Sequence, residues 1–441
     1  MREGSLEPPQ RLAVPWKEES FYDEKALGDE MARVFDICAG CRRCLSLCNA
    51  FPTLFDLVDA TSEGEIQAVD RKDFAKVTDE CYLCDLCFMT KCPYVPPHPF
   101  NIDFPHLMLR AKAKKFKEGK TKFRDRLLTS TDLMGELFGF FLWAPLINAM
   151  NRLRFMRVLL EKVLGVHRLR ALPSYAMRKF RNRARPRGAF PIKNGERSPG
   201  KVAVFATCYA QHNEPQVGLD LLKILEHNAI PTKVVPREKC CGMPKLEVGD
   251  LEAVQRQKEC NISRLLPFAE EGYALLAPVP SCVLMYKQEL PLLFPEDEAV
   301  RKVADAFFDP FEYFFLRHKD GLLNLDFKRE LGAVAYHLPC HLRVQNMGQK
   351  TREVLSLVPG TEIHPIERCS GHDGTYGVKK EHFETSMKIG RPVFRHAQEK
   401  GAATVSSDCP IACRQIHQGM GFPEVLVAHP LTLLRLAYGL E

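Results

Sequence analysis

Two short cysteine runs near the amino end constrain this 441-residue chain more than any other feature. The first, CAGCRRCLSLC, sets Cys38, Cys41, Cys44 and Cys48 at gaps of two, two and three residues. The second, CYLCDLCFMTKC, sets Cys81, Cys84, Cys87 and Cys92 at gaps of two, two and four, with Pro93 next in line. A C-x2-C-x2-C loop wraps three soft anionic donors around one inorganic centre, and a fourth donor must then arrive from elsewhere. Four-thiolate zinc sites also use C-x2-C pairs, but they seldom use three cysteines at successive two-residue gaps. Iron–sulfur chemistry is the expectation.

The paired runs resemble the ligand pattern of bacterial two-cluster [4Fe–4S] ferredoxins, in which the last cysteine of each run serves the other cluster. That resemblance implies Cys38, Cys41, Cys44 and Cys92 around one cube, and Cys81, Cys84, Cys87 and Cys48 around the other. Two features depart from it: the wider gap before Cys92, and Asn49 where a proline commonly follows the fourth cysteine. Between the runs, apolar positions recur every three to four residues, which suits an α-helical ferredoxin domain over residues 31–105. Pro93, Pro96, Pro97 and Pro99 then keep the chain extended. His98 and His106 beside them are expected to pack rather than ligate.

Seventeen cysteines would suit a small secreted disulfide scaffold, yet the chain is far too long for that class. Its opening, MREGSLEPPQRLAVPWKEES, has no apolar signal core, so reduced thiols and a cytoplasmic location are expected. Residues 1–30 read as a flexible arm. Charge is uneven: from His106 to Lys201, 24 Lys and Arg face 6 Asp and Glu. Within this basic block, residues 106–200, lies the apolar stretch LMGELFGFFLWAPLINAM from Leu133 to Met150. Glu136, Pro145 and Asn148 make it a poor membrane span. An apolar, Trp-bearing segment among cations suits the interface of an anionic membrane or the surface of a partner subunit. The expected placement is therefore peripheral, on the inner face of the cytoplasmic membrane. Nucleic acid is not expected, because no reading motif accompanies the charge.

Beyond Gly200 strands alternate with helices, which implies parallel sheets. KVAVFAT leads to Cys208, TKVVP to Cys240–Cys241–Gly242, and YALLAPVP to Cys282. The pattern then repeats: a strand from Ala333 to Leu338 leads to Cys340, TEIHPI to Cys369–Ser370–Gly371, and ATVSS to Cys409. Cysteines at the carboxyl ends of strands fall where open α/β sheets place their sites. Residues 201–325 and 326–441 read as tandem repeats.

The pieces FATCYAQHNEPQVGLDLLKILEHN, EKCCGMPKLEVGD and VPSCVLMYKQELP resemble the CCG-domain iron–sulfur proteins, as do HLPCHLRVQNMG, ERCSGHDGTYGVK and SSDCPIACRQI. That family includes the heterodisulfide reductase subunit designated B and the anaerobic glycerol-3-phosphate dehydrogenase subunit designated C. The latter type carries both the ferredoxin runs and the CCG repeats on one chain. The resemblance implies two further groups able to hold an iron–sulfur cluster: Cys208, Cys240, Cys241 and Cys282, and Cys340, Cys369, Cys409 and Cys413. Ser370, Val279 and the C-x3-C spacing from Cys409 to Cys413 depart from the family pattern. His341 and His372 flank candidate ligands, and Cys260 reads as a small buried residue on a helix. Gly371, Gly374 and Gly377 suit tight turning beside Cys369 rather than a phosphate loop.

The expected fold is thus multidomain, α plus α/β: a helical ferredoxin domain, a basic helical linker and two CCG domains. The expected function is an electron relay carrying two [4Fe–4S] clusters, with additional iron–sulfur clusters in the CCG domains. Its partners would be a flavoprotein dehydrogenase subunit or rubrerythrin, and quinone at the membrane. The alternative is a catalytic thiol–disulfide reductase. No Gly-rich dinucleotide fingerprint is visible, so any flavin or NAD would sit on another chain.

Overall fold

Among the described residues, eight short strands form two sheets with one shared strand order. In the first, β1 (Val202–Val204) lies between β2 (Thr232–Val234) and β3 (Ala274–Leu276), and β4 (Phe307–Phe308) follows β3. In the second, β5 (Gly332–His337) lies between β6 (Thr361–Ile366) and β7 (Thr404–Ser407), with β8 (Leu426–Ala428) outermost. Every pairing is parallel. The computed structural model describes residues 8–441 other than 141, 186, 187, 189, 400 and 423.

Helices cover both faces of these sheets, so β1 and β3 are buried at every position and read as unbroken apolar runs. The crossovers start at caps the sequence supplies. The Asp250 side chain accepts from Ala253 N–H to open the helix Leu251–Glu270, and Asp297 caps Glu298–Ala306 in the same way. Asp309 and Glu312 form a reciprocal capping box at the helix Pro310–Lys319. The strands are shorter than the apolar runs that announce them, because the chain turns into the cysteine-bearing loops.

The two lobes share one apolar core that includes Val202, Leu222 and Phe314 from the first and Tyr336, Val354 and Leu434 from the second. The carboxyl-terminal helix Pro430–Ala437 returns to the first lobe, where Thr432 donates to Asp220 at 2.6 Å and Arg435 pairs with it at 2.9 Å. The amino-terminal part is helical as expected: Glu24–Cys41, Ala50–Asp59, Phe74–Glu80, Leu86–Thr90 and Phe104–Lys117. Its core, including Phe35, Leu54 and Phe104, runs without a break into first-lobe residues such as Phe205 and Tyr286.

Two expectations need correction. Of the arm expected over residues 1–30, residues 1–7 lie outside the described residues, and from residue 8 onward the chain is not a flexible arm. Val14, Trp16 and Phe21 are buried, Trp16 Nε1 donates to Leu293 O at 3.0 Å, and Val14 N donates to Leu292 O at 2.9 Å. Apolar burial against the first lobe orders this segment. The block 106–200 is not a simple helical linker either. Its later part is a strap in which His167 N donates to Val378 O, Ala176 N donates to His212 O, and Val166 bridges Lys379. Arg170 is buried there, donating to Gly377 O, Gln415 and Ser386, so part of the cationic surplus serves as internal tie points.

Candidate metal centre

Cys38, Cys41, Cys44 and Cys92 line one small cavity walled by Ile37, Phe51, Phe55, Tyr94 and Ile102. The first three lie on or just beyond the helix Glu24–Cys41, which Arg42 ends in a left-handed conformation, turning the chain back toward the cavity. Burial, then the nearby Cys92 and Cys41, push the Cys44 thiol up to about 12. Cys38 is raised by burial and by Cys92, Cys44 and Cys41. The last cysteine of the second run thus sits with the first run.

Cys48 sits with the second run: burial and the proximity of Cys81 raise it, and burial together with Cys44, Cys81 and Cys48 raises Cys87. In this loop Leu83 and Asp85 take positive φ of 56° and 62°, which turns the chain sharply between successive cysteines. Asp85 is held by Arg11 at 2.8 Å, and Arg11 also reaches Asp103 at 3.0 Å and Glu289 at 3.2 Å. His106 joins the group through Asp103 and Glu289. Burial opposes its ionisation, yet the hydrogen bond from His106 and the Arg11 charge pull Glu289 down to about 2. Burial and Glu289 hold Asp85 above the usual carboxylate range despite Arg11.

The second-run loop abuts the second lobe. Tyr82 Oη lies 3.7 Å from Cys369 Sγ, and burial and Cys340 raise Cys84. Tyr376 donates to Glu80, which also meets His382 Nδ1 at 3.4 Å. Beyond lies a cavity of about 190 Å³ between the lobes, lined by Cys208, Cys241 and Cys282 from one and Cys340, Cys369 and Cys409 from the other. These residues follow β1, β2, β3, β5, β6 and β7, the carboxyl strand ends on either side of the order reversal in each sheet. Cys240 Sγ lies 3.9 Å from Cys208 Sγ. Hydrogen bonds from Cys208 and Cys241 lower the Cys240 pKa, and both donors are raised in turn.

A family model for the cysteine-rich CCG domain matches residues 202–287 and 334–415, one match in each lobe. The anaerobic glycerol-3-phosphate dehydrogenase subunit designated C, from Escherichia coli (strain K12), is 30% identical over 342 residues, 77% of this chain and 83% of that protein. The chain belongs to the CCG cysteine-rich family. The fumarate reductase (CoM/CoB) subunit designated B, from Methanothermobacter marburgensis, is 27% identical over 256 residues, 56% of this chain and 48% of that protein. Lactate utilization protein A 1 from Bacillus mycoides is 29% identical over 219 residues, 47% of this chain and 85% of that protein. The first two bear the names of oxidoreductase subunits.

In this CCG chain the donor sets fit iron–sulfur groups by chemistry. The two amino-terminal sets and the first-lobe set each offer four soft sulfur donors. Among the described residues no three His, Cys, Asp or Glu side chains converge as a single metal ion requires. Cys413 does not join the second-lobe group. It is buried in an apolar cluster with Val405 and Ile416, its Sγ directed at Val405 O at 3.7 Å, because its place on the helix Pro410–Gly419 faces the sheet. Cys260 is half-buried on the helix Leu251–Glu270, apart from both lobe groups. His98 packs between Tyr94 and Phe100, and His341 Nδ1 meets Ser281 Oγ at 2.8 Å, tying Cys340 to the loop of Cys282.

Several site residues carry no motif. Asp132, from the basic block, accepts the Cys240 N–H with both oxygens at 3.0 and 2.8 Å, and burial and Cys240 push its carboxyl up to about 6. Glu247 lines the cavity, where burial pushes it up to about 7. Gly374 packs against the Glu247 carboxylate at φ +42°, a backbone conformation that favours glycine. Asp373 also lines the cavity, and its one signal in the sequence is its place in GHDG.

Proposed function

We propose that this CCG-family chain is the iron–sulfur relay subunit of an oxidoreductase complex. Cys38, Cys41, Cys44 and Cys92 hold one [4Fe–4S] cube, Cys81, Cys84, Cys87 and Cys48 a second, and the cysteines of the lobes further clusters. Such groups supply one-electron transfer at potentials set by burial and hydrogen bonding. The protein contributes spacing, apolar insulation and hydrogen bonds to the thiolates. The proposed units are residues 31–105, 106–200, 201–325 and 326–441.

The observation that carries this reading is contiguity. The first run adjoins the second through Cys44 and Cys87, and the second adjoins the interlobe cavity through Tyr82 beside Cys369 and Cys84 beside Cys340. Neighbouring thiol groups therefore lead from the outer amino-terminal cavity toward the space between the lobes. In anaerobically purified protein, Cys84→Ser should abolish one reduced-cube paramagnetic resonance signal and electron throughput, while Cys260→Ser leaves both intact. Equal losses from the two changes would sink the ligand assignment.

The acceptor side is assigned to quinone at a membrane surface, and the donor to a flavoprotein dehydrogenase subunit. The helix Arg154–Leu164 supports this because it is inside out. Arg157 and Glu161 are buried, whereas Phe155, Leu159 and Val163 are 67%, 50% and 70% exposed. Arg152, Arg154, Lys162 and Arg168 on or beside this helix are exposed, and Leu133, Leu137, Leu142, Trp143 and Leu146 earlier in the same block are exposed as well. Among the described residues no single helix is long and apolar enough to cross a membrane. Cations around an apolar face match the surface of an anionic bilayer. Binding to anionic vesicles should fall at least tenfold in Phe155→Glu/Leu159→Glu; unchanged binding would remove the membrane assignment. Co-purification from the native cell tests the donor, and rubrerythrin in place of a flavoprotein would redirect the pathway to peroxide.

A second reading, catalytic reduction of a disulfide, is favoured by one observation: thiols of both lobes line the same cavity. Repeated turnover of an added disulfide, with two electrons drawn from an external one-electron reductant for each disulfide cleaved to two thiols, would establish it.

A further inference from the structure

The lobes repeat one fold with unequal donor sets. Cys340, Cys369 and Cys409 follow β5, β6 and β7 as Cys208, Cys240 and Cys282 follow β1, β2 and β3. The counterpart of Cys241 is Ser370, whose hydroxyl is a poor ligand for iron beside a thiolate, and Cys413 is turned into the apolar core. The second lobe is one donor short.

Asp373 stands four residues beyond Cys369 and lines the cavity together with Cys340, Cys369, Cys409 and Ser370. Its Oδ2 is buried and has no hydrogen-bond partner among the described residues. Glu247 and Asp85 repel its charge and Lys112 attracts it, but Lys112 Nζ donates to the carbonyl of Cys81. A buried carboxylate surrounded by thiols is costly unless it is paired, protonated or bound to a metal. The backbone holds it there against local preference. Asp373 has φ of +35°, and the loop is fixed on both sides by Tyr376 N donating to Asp373 O at 2.8 Å and Gly377 N donating to His372 O at 2.9 Å. Left-handed non-glycine residues persist where surrounding structure over-determines them, and such sites gather around ligands. Gly371, at φ +77°, permits the preceding turn, since a Cβ there would lie 2.1 Å from Ser386 O.

We infer that the Asp373 carboxylate is the non-cysteine ligand of an iron–sulfur cluster held in the second lobe by Cys340, Cys369 and Cys409. The inference rests on the reading that this lobe holds a cluster. A hard oxygen donor among three thiolates makes one iron chemically distinct from the rest, and ligation displaces the carboxyl proton. Asp373 lines the interlobe cavity, so a small acceptor entering the space would meet the carboxylate, which would be the most exchangeable ligand of the group.

The test uses the full chain, purified without oxygen, as the natural protein, Asp373→Asn, Asp373→Cys and Cys369→Ser. Iron and sulfide per chain, Mössbauer spectra and paramagnetic resonance are read on each, with the amino-terminal cube signals as the control for folding. The natural protein should show one distinct iron site beyond the cubes. Asp373→Asn should lose about one iron per chain and gain an oxidised three-iron signal, because a neutral amide oxygen replaces the anionic ligand. Asp373→Cys should keep all its iron and lose the distinct site, since four thiolates make the irons alike. An Asn variant with unchanged iron content and an unchanged Mössbauer spectrum overturns the inference, leaving the cluster itself in place. If Cys369→Ser holds as much iron as the natural protein, the underlying reading of the second lobe falls, and this inference with it.

Discussion

The first lobe presents Cys208, Cys240, Cys241 and Cys282 around one site, while the second, built on the same strand order, presents three thiols with Ser370 and Asp373 among them. They also meet the amino-terminal part differently. The first lobe is pinned by the buried ionic group of Arg11, Asp85, Asp103, His106 and Glu289. The second is met mainly by hydroxyl contacts, Tyr82 to Cys369 and Tyr376 to Glu80, with the His382 imidazole as a second partner of Glu80. A repeat thus keeps its backbone where packing demands it, while its loops are free to take different chemistry.

The largest test of this contrast is in the donor sets. Cys241→Ser should abolish the first-lobe cluster signal and cut throughput at least tenfold, whereas Ser370→Ala should change neither, as measured by paramagnetic resonance and single-turnover reduction. Equal effects would mean that the lobes hold their clusters alike.

Next comes the ionic pin. Arg11→Ala leaves Asp85, Asp103 and Glu289 buried with only His106 beside them, and removing one partner of a buried charge pair costs about 3–5 kcal/mol. Denaturant unfolding should register that loss. Glu289 is held at about 2 against an ordinary 4.5, so its contribution is present above pH 4.5 and is lost as the pH falls from there toward 2. Asp103, also lowered, acts in the same sense, and Asp85, raised, partly opposes them. The natural protein should lose stability in that acid window, and Arg11→Ala should show a shallower dependence there. The smallest effect belongs to the second-lobe contact: Tyr376→Phe should cost about 1.5–3 kcal/mol, the range for a hydrogen bond to a charged group. A loss as large as that from Arg11→Ala would erase the distinction between ionic and hydroxyl docking.

The thiol groups were legible in the chain because turns of two or three residues bring cysteines together over distances the backbone fixes locally. The duplication was legible for a related reason: each strand announces its cysteine by ending there, at β1, β2 and β3 and again at β5, β6 and β7. Cys413 misled because a sequence interval does not say which face of a helix turns to the sheet. The arm misled because polar composition hides single anchors such as Trp16 and Arg11.

From its order of residues alone, the chain determined two tight cysteine runs and a doubled parallel α/β unit, since both depend on short-range spacing and periodic burial. Tertiary structure decided what surrounds the thiols. It brought Arg11 to Glu289, Asp132 to Cys240, Tyr82 to Cys369 and Asp373 into the interlobe cavity. It also turned the helix Arg154–Leu164 with its charges inward and its apolar side out. These are contacts between segments far apart in the chain or choices of which face to bury, and they are settled only when whole elements pack and each buried charge finds its partner.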